Sequence, residues 1–199
     1  PRSIMKGARM KNTRRQQNTF KQRTRTLAPW IPELVTSVTA KKDRMRDLLA
    51  AAHSVAPGSP FTFEGQPWLR RDHARNPTGE TKYALMTTLV QDPAGDSLDL
   101  THLEHKAYWT WAALEVLRHT GLRIEELLEL THLSLRPLRK QNGEIVPLLQ
   151  VAPSKTDEER ILPMSPALTS VLSDIIGRHT TEHGKIPLLR RLDRSQREF

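Results

Sequence analysis

Two stretches carry the clearest helical periodicity. In residues 41–53, Met45, Leu48, Leu49 and Ala52 fall three and four positions apart and define an apolar stripe. In the second stretch Leu168, Val171, Leu172, Ile175 and Ile176 repeat those steps, with Ser165 placed to cap the helix and Pro166 in its first turn; the helix should end near Gly177 or His183. Pro29, Trp30 and Pro32 open the folded part, and residues 33–40 read as a short separate helix. A long helix is expected over residues 100–119, with Ala113, Leu114, Val116 and Leu117 inward and Gly121 as a left-handed cap. Ile124, Leu127 and Leu128 then read as the buried stripe of the next helix. That reading sets Arg123 in the first turn, among backbone N–H groups that favour an anion.

Strand signals follow in residues 133–138, 144–151 and 160–162, with a tight turn at Asn142-Gly143 and a second turn around Lys155. They predict a three-stranded antiparallel sheet. Residues 54–67 are rich in proline, glycine and serine, and residues 70–81 are polar with Pro77 and Gly79, so both read as an irregular connection. Residues 83–90 fit a strand or a helical turn equally. The expected class is α+β, mainly helical, with a small antiparallel sheet. Three parts are expected: an arm over residues 1–26, a mostly helical region over 27–98 and the firmer segment over 99–199.

A chain of 199 residues with 37% hydrophobic content can bury a core. No apolar run approaches the roughly eighteen residues of a membrane span, and no apolar stretch backs the basic start, so a soluble cytoplasmic protein is expected. Without cysteine there are no disulfides, thiolate metal sites or cysteine nucleophiles. The chain opens with Pro1 rather than methionine, as a fragment or a processed product would.

The net charge of +9 is unevenly spread. Nine of the 31 lysines and arginines precede residue 27, and the other 22 balance the 22 acids. This composition predicts an arm without fixed structure, drawn to DNA phosphates by counterion release, with Arg14, Arg15, Lys21, Arg23 and Arg25 as its candidate contacts. A solubilising tail would have the same composition.

Arg123 and Lys155 suit the chemistry of a phosphodiester. Attack on phosphorus builds negative charge on the non-bridging oxygens, which a guanidinium meets with paired hydrogen bonds and no risk of losing its charge. The departing 5′ oxygen needs a proton, which a lysine on a turn can deliver. Glu126, one helical turn after Arg123, is placed to hold the guanidinium. On spacing alone an arginine followed by Glu125 and Glu126 is more often a surface ion pair, and Lys155 with Asp157, Glu158 and Glu159 a solvated turn.

The order helix, Thr120-Gly121-Leu122-Arg123-Ile124, Glu126-Leu127, hairpin with Lys155 at its turn, Arg160-x-x-Pro163, helix resembles the catalytic domain of the tyrosine recombinases, or phage integrases, over roughly residues 99–180. The resemblance implies that Arg123 is the family's first catalytic arginine, Glu126 its acidic neighbour and Lys155 the hairpin general acid. Residues 27–98 would stand in place of the family's helical core-binding domain. The implied reaction is site-specific DNA cleavage and rejoining through a 3′-phosphotyrosyl intermediate, with no metal or nucleotide cofactor. Double-stranded DNA is the implied partner, the working assembly a tetramer of copies on DNA, and the setting a mobile element on a bacterial nucleoid.

The family's later His-x-x-Arg element and tyrosine nucleophile have no match. Tyr83 and Tyr108 both precede Arg123, and none of the eight histidines has an arginine three residues later. The expectation is a partial catalytic domain that does not cleave DNA by itself, the alternative a non-catalytic DNA-binding fragment. A remote alternative is a zinc peptidase, because His179, Glu182 and His183 fit H-x-x-E-H, although Gly177 and Gly184 flank it and Glu198 is the only glutamate left downstream. His102 and His105 share helical spacing, but Glu104 and Lys106 beside them predict a solvated face.

Overall fold

The computed structural model describes residues 21–22, 25–71, 87–152, 159–180, 184 and 186. The chain divides into two compact units, Pro1–Glu104 and His105–Phe199. Within the arm, Arg14, Arg15 and Arg23 lie outside the described residues. Lys21 and Arg25 are helical and exposed, where no fixed structure was expected; the Thr26 hydroxyl donates to the Gln22 carbonyl, and a 3-10 turn follows at Ala28–Trp30.

In the first unit, α1 (Ile31–His53) is one continuous helix rather than two short ones. No glycine interrupts it, and Pro32 sits in the first turn, where its missing N–H costs nothing. Met45, Leu48 and Ala52 are buried, as their spacing predicts, and Leu49 is half-buried. The guanidinium of Arg70 donates to the Ala52 and Val55 carbonyls at 3.2 and 2.6 Å, which satisfies backbone acceptors at the helix end.

The stretch expected to be irregular holds the first two strands of a four-stranded antiparallel meander, and the third begins within the segment read as a strand or a helical turn: β1 (Pro60–Phe63), β2 (Gln66–Arg70), β3 (Leu89–Gln91) and β4 (Ser97–Asp99), in that order. Prolines are tolerated because β1 is an edge strand, and because β2 pairs with β3 only through Leu69 and Arg70, leaving Pro67 with one neighbour. Phe61 and Trp68 face each other across the first pair, buried, with ring centroids 6.3 Å apart. The β1–β2 turn is Glu64-Gly65, with φ of 51° and 74°. Both residues are left-handed, as a two-residue hairpin requires, and the Arg44 guanidinium holds the Glu64 carboxylate at 2.9 and 3.0 Å. At the next turn Asp92 Oδ1 accepts the N–H groups of Ala94 and Asp96. Thr88 then ties the unit together: its hydroxyl bonds His53 Nε2 at 2.8 Å, its N–H donates to the Thr101 hydroxyl, and its carbonyl accepts from Leu100.

Asp99 Oδ1 accepts the His102 N–H and so starts α2 (Leu100–Thr120), most of which belongs to the second unit. The inward face of α2 is turned from the expected one. Tyr108, Trp111, Ala112 and Val116 are buried, whereas Ala113, Leu114 and Leu117 are half-buried, because the aromatic rings supply the largest apolar surfaces on the helix. His102 and Lys106 are exposed, as a solvated face requires, whereas Glu104 is buried and His105 half-buried. Gly121 has φ +65°, and its N–H bonds the Leu117 carbonyl, as its capping position predicts.

A short helix, α3 (Ile124–Leu128), follows. Its expected stripe is wrong: Ile124 is exposed, Leu128 is 78% exposed, Leu127 is half-buried, and Glu126 is the buried residue. Strands β5 (Leu135–Arg139), β6 (Ile145–Val151) and β7 (Arg160–Pro163) form the expected antiparallel sheet in that order. Gly143 takes φ +83° in the β5–β6 turn, with Asn142 Oδ1 accepting the Glu144 N–H. Then α4 (Pro166–His179) begins with Ser165 Oγ accepting from Leu168 N at 3.2 Å. Leu149 and Val151 of β6 and Leu168, Val171 and Leu172 of α4 are buried. Among the described residues no helix is long and apolar enough to cross a membrane.

Leu149 is 1% exposed in the middle strand of the second sheet. Leu149→Ala should therefore lower unfolding free energy by about 2–5 kcal/mol. The check is a urea titration, in which the midpoint falls while the slope stays unchanged.

Candidate active site

Gly121 ends α2 and lets the chain reverse, so that Arg123 becomes the N-cap of α3 in an extended conformation, φ −75° and ψ 156°. Glu126, at the third helical position, reaches back with Oε2 to accept the Arg123 N–H at 2.9 Å. This is the carboxylate half of a capping box, and it fixes the Arg123 backbone against the first turn. The same carboxylate is 2% exposed. Burying a carboxylate is unfavourable by several kcal/mol unless cations and hydrogen bonds compensate it.

Two guanidiniums do so. Arg160 Nη2 lies 2.5 Å from Glu126 Oε2, and Arg123 Nη1 lies 3.5 Å from Oε1. Arg160 comes from the first residue of β7, where it pairs in register with the fully buried Val151 of β6. Cross-strand partners share a sheet face, so the arginine's stem lies on the core side and its charged end meets the carboxylate. The structure thus joins the start of α3 to the start of β7 through a buried ion cluster. Both guanidiniums remain accessible from outside, the Arg123 side chain 50% exposed and the Arg160 side chain 45%. Arg123 is therefore the exposed member of the pair and Glu126 the buried one.

Two accessible guanidiniums on one rigid anchor suit a phosphate group, whose oxygens accept paired N–H donors. Lys155 lies outside the described residues. The segment that carries it leaves the sheet at Val151 and re-enters at Arg160, beside a side-chain hydrogen bond from Gln150 to Glu159. Sequence reasoning places Arg160 only within a motif and misses its contact with Glu126. A charged strand-end residue in register with an apolar core position is the signal that would have found it.

The other candidates fall elsewhere. Tyr108 is buried with the Arg178 guanidinium 4.0 Å over its ring, and Tyr83 lies outside the described residues. His179 stacks near Trp109, with centroids 5.1 Å apart, while Glu182 and His183 lie outside the described residues. Among the described residues no group of three histidines or acids could hold a metal ion. A second ion cluster ends α2, where buried Glu115 receives Arg118 at 2.5 Å and approaches His119 Nε2 at 3.3 Å.

The distances separate the two arginines energetically. Glu126→Ala, which removes the shared anchor, should lower unfolding free energy by about 3 kcal/mol, and Arg123→Ala by less than about 1. Urea unfolding of both variants tests the ranking; equal losses would mean that the Arg123 side chain carries most of what the carboxylate contributes.

Residues 91–196, more than half of the chain, match the phage integrase family, and the match contains Arg123, Glu126 and Arg160. No curated protein and no solved structure matches. The chain therefore belongs to the phage integrase family, the tyrosine recombinases, whose general activity is site-specific recombination of DNA.

Proposed function

We propose that the cluster of Arg123, Glu126 and Arg160 is the phosphate-gripping part of a DNA strand-cleavage site, and that Arg123 is its catalytic arginine. The observation that carries this reading is the buried carboxylate holding two accessible guanidiniums at 2.5 and 3.5 Å, within the stretch that matches the family. In the reaction, a tyrosine hydroxyl gives up its proton to water as its oxygen bonds to the scissile phosphorus and the bond to the 5′ oxygen breaks, which leaves a 3′-phosphotyrosyl link. Arg123 meets the non-bridging oxygens as charge builds on them, and Lys155 gives its proton to the departing 5′ oxygen. Rejoining reverses these steps, so neither metal nor nucleotide is consumed. Residues 99–199 carry this part of the catalytic domain, and residues 27–98 stand where the family's DNA-clamping domain would be.

Neither tyrosine of this sequence suits the attack. Both precede Arg123, and Tyr108 is buried under Arg178. The nucleophile then comes from outside these 199 residues, and the chain by itself binds duplex DNA without cutting it. Binding would draw on the basic stretch that contains Arg14, Arg15, Lys21, Arg23 and Arg25, and the active assembly would be a tetramer on two duplexes in a bacterial cytoplasm.

In a longer form that supplies the tyrosine, Arg123→Ala should abolish the covalent complex with a nicked duplex, seen on a denaturing gel, and change duplex binding by less than about threefold. Covalent complex at the wild-type level would reject the assignment. Replacing Arg14, Arg15, Lys21, Arg23 and Arg25 with glutamine should flatten the dependence of log K on log salt by about 0.9 for each phosphate that is no longer neutralised. An unchanged slope would remove this stretch from the interface.

A further inference from the structure

We infer that the exposed apolar stripe of Leu27, Trp30, Ile31 and Leu34, at the start of α1, is a contact surface for a second copy of this chain, the two helices running antiparallel about a two-fold axis. The inference concerns the first unit and does not rest on the reading of Arg123 as a phosphate ligand.

The stripe continues a core face. Ile31, Leu34, Val38, Met45, Leu48 and Ala52 recur at steps of three, four and seven residues, which keeps them on one side of an α-helix. Met45, Leu48 and Ala52 are buried, with α1 packed on β1, and Val38 is half-buried. Towards the N-terminus the cover stops: Ile31 is 45% exposed and Leu34 50%. The helical residues just before α1 extend the same face by Leu27 and Trp30, 60% and 63% exposed. Four large apolar side chains within eight residues make a contiguous patch, where a single exposed leucine would need no explanation.

Symmetry marks the occupant as another copy. Residues 27–34 read leucine, alanine, proline, tryptophan, isoleucine, proline, glutamate, leucine, so that Leu27 mirrors Leu34, Pro29 mirrors Pro32 and Trp30 mirrors Ile31 about the centre of the segment. An antiparallel copy laid on this face sets Leu27 of each molecule against Leu34 of the other and gathers both Trp30 and both Ile31 side chains around the axis. An isologous contact requires such self-complementarity. Glu33, the one charged residue of the segment, stands beside the face rather than on it, so no like charges meet there.

Size sets the strength. The four side chains offer on the order of 400 Å² per copy, so a pair buries roughly 800 Å². Stable complexes bury about 1,200 Å² or more. The contact is thus weak between free molecules and effective where two copies are already held side by side on one duplex.

The test uses the 199-residue protein, in which the absence of cysteine makes any introduced thiol unique. Leu27→Cys and Leu34→Cys proteins are mixed at high concentration and oxidised with copper phenanthroline, and disulfide dimers are read on a non-reducing gel. The mixture should give at least about fivefold more dimer than either protein alone, because identical positions of the two copies lie about 10 Å apart along the helices, beyond disulfide reach. Trp30→Glu in both partners should cut the mixed dimer at least about tenfold, with far-ultraviolet circular dichroism showing that the helix is kept. If that variant loses helix, Trp30→Ala takes its place and should cut the dimer about threefold.

Equal dimer in mixed and single samples, or a mixed dimer untouched by the Trp30 change, overturns the inference. So does absence of the mixed dimer. In that case, Trp30-dependent binding to phosphatidylglycerol vesicles would assign the stripe to an anionic lipid surface instead.

Discussion

A single buried carboxylate organises the second unit's candidate site. Glu126 accepts the backbone N–H of Arg123 and the guanidinium of Arg160, and it lies within ion-pair range of the Arg123 side chain. Each contact does separate work. The first sets where α3 begins, the second ties that beginning to the sheet, and the third aims a cation outward. An anionic group placed in the interior is costly by itself, and here two sequence-distant elements contribute to offsetting that cost. The ion cluster is therefore better understood as a device for specificity of arrangement than as a source of stability.

Much of this was legible in the sequence where local rules are strong. Asn142-Gly143 announced its hairpin, Ser165 and Pro166 announced α4, and Gly121 announced the end of α2, because each position demands a particular backbone conformation that few residues satisfy. The pairing of Arg123 with Glu126 was legible for the same reason, since a residue three places into a helix reaches back to its cap. Arg160 was not. Its contact depends on strand register and on the approach of two elements, neither of which leaves a mark in local periodicity.

The misreadings have the same physical origin. Ile124 and Leu128 are apolar at helical spacing, but α3 has only five residues, and its orientation is set by Gly121 and by the ion cluster rather than by its own stripe. The sheet of the first unit escaped notice because its strands are three to five residues long and interrupted by Pro60 and Pro67. Its leading turn also places a glutamate, Glu64, at a left-handed position more often taken by asparagine or glycine, with Arg44 across from it compensating the choice. Turn rules tuned to common residues pass over such a site.

The brevity of α3 has a consequence for the order in which the protein acquires its site. A helix of about one and a half turns does not persist in water, because nucleation outweighs the few hydrogen bonds it can form. Its arginine emerges from the ribosome well before β7, so during synthesis that guanidinium has no defined location until the later strand joins the sheet. The cluster of Arg123, Glu126 and Arg160 is in this sense a late product of folding, and a nascent chain lacking β7 carries Arg123 and Glu126 without Arg160 to join them.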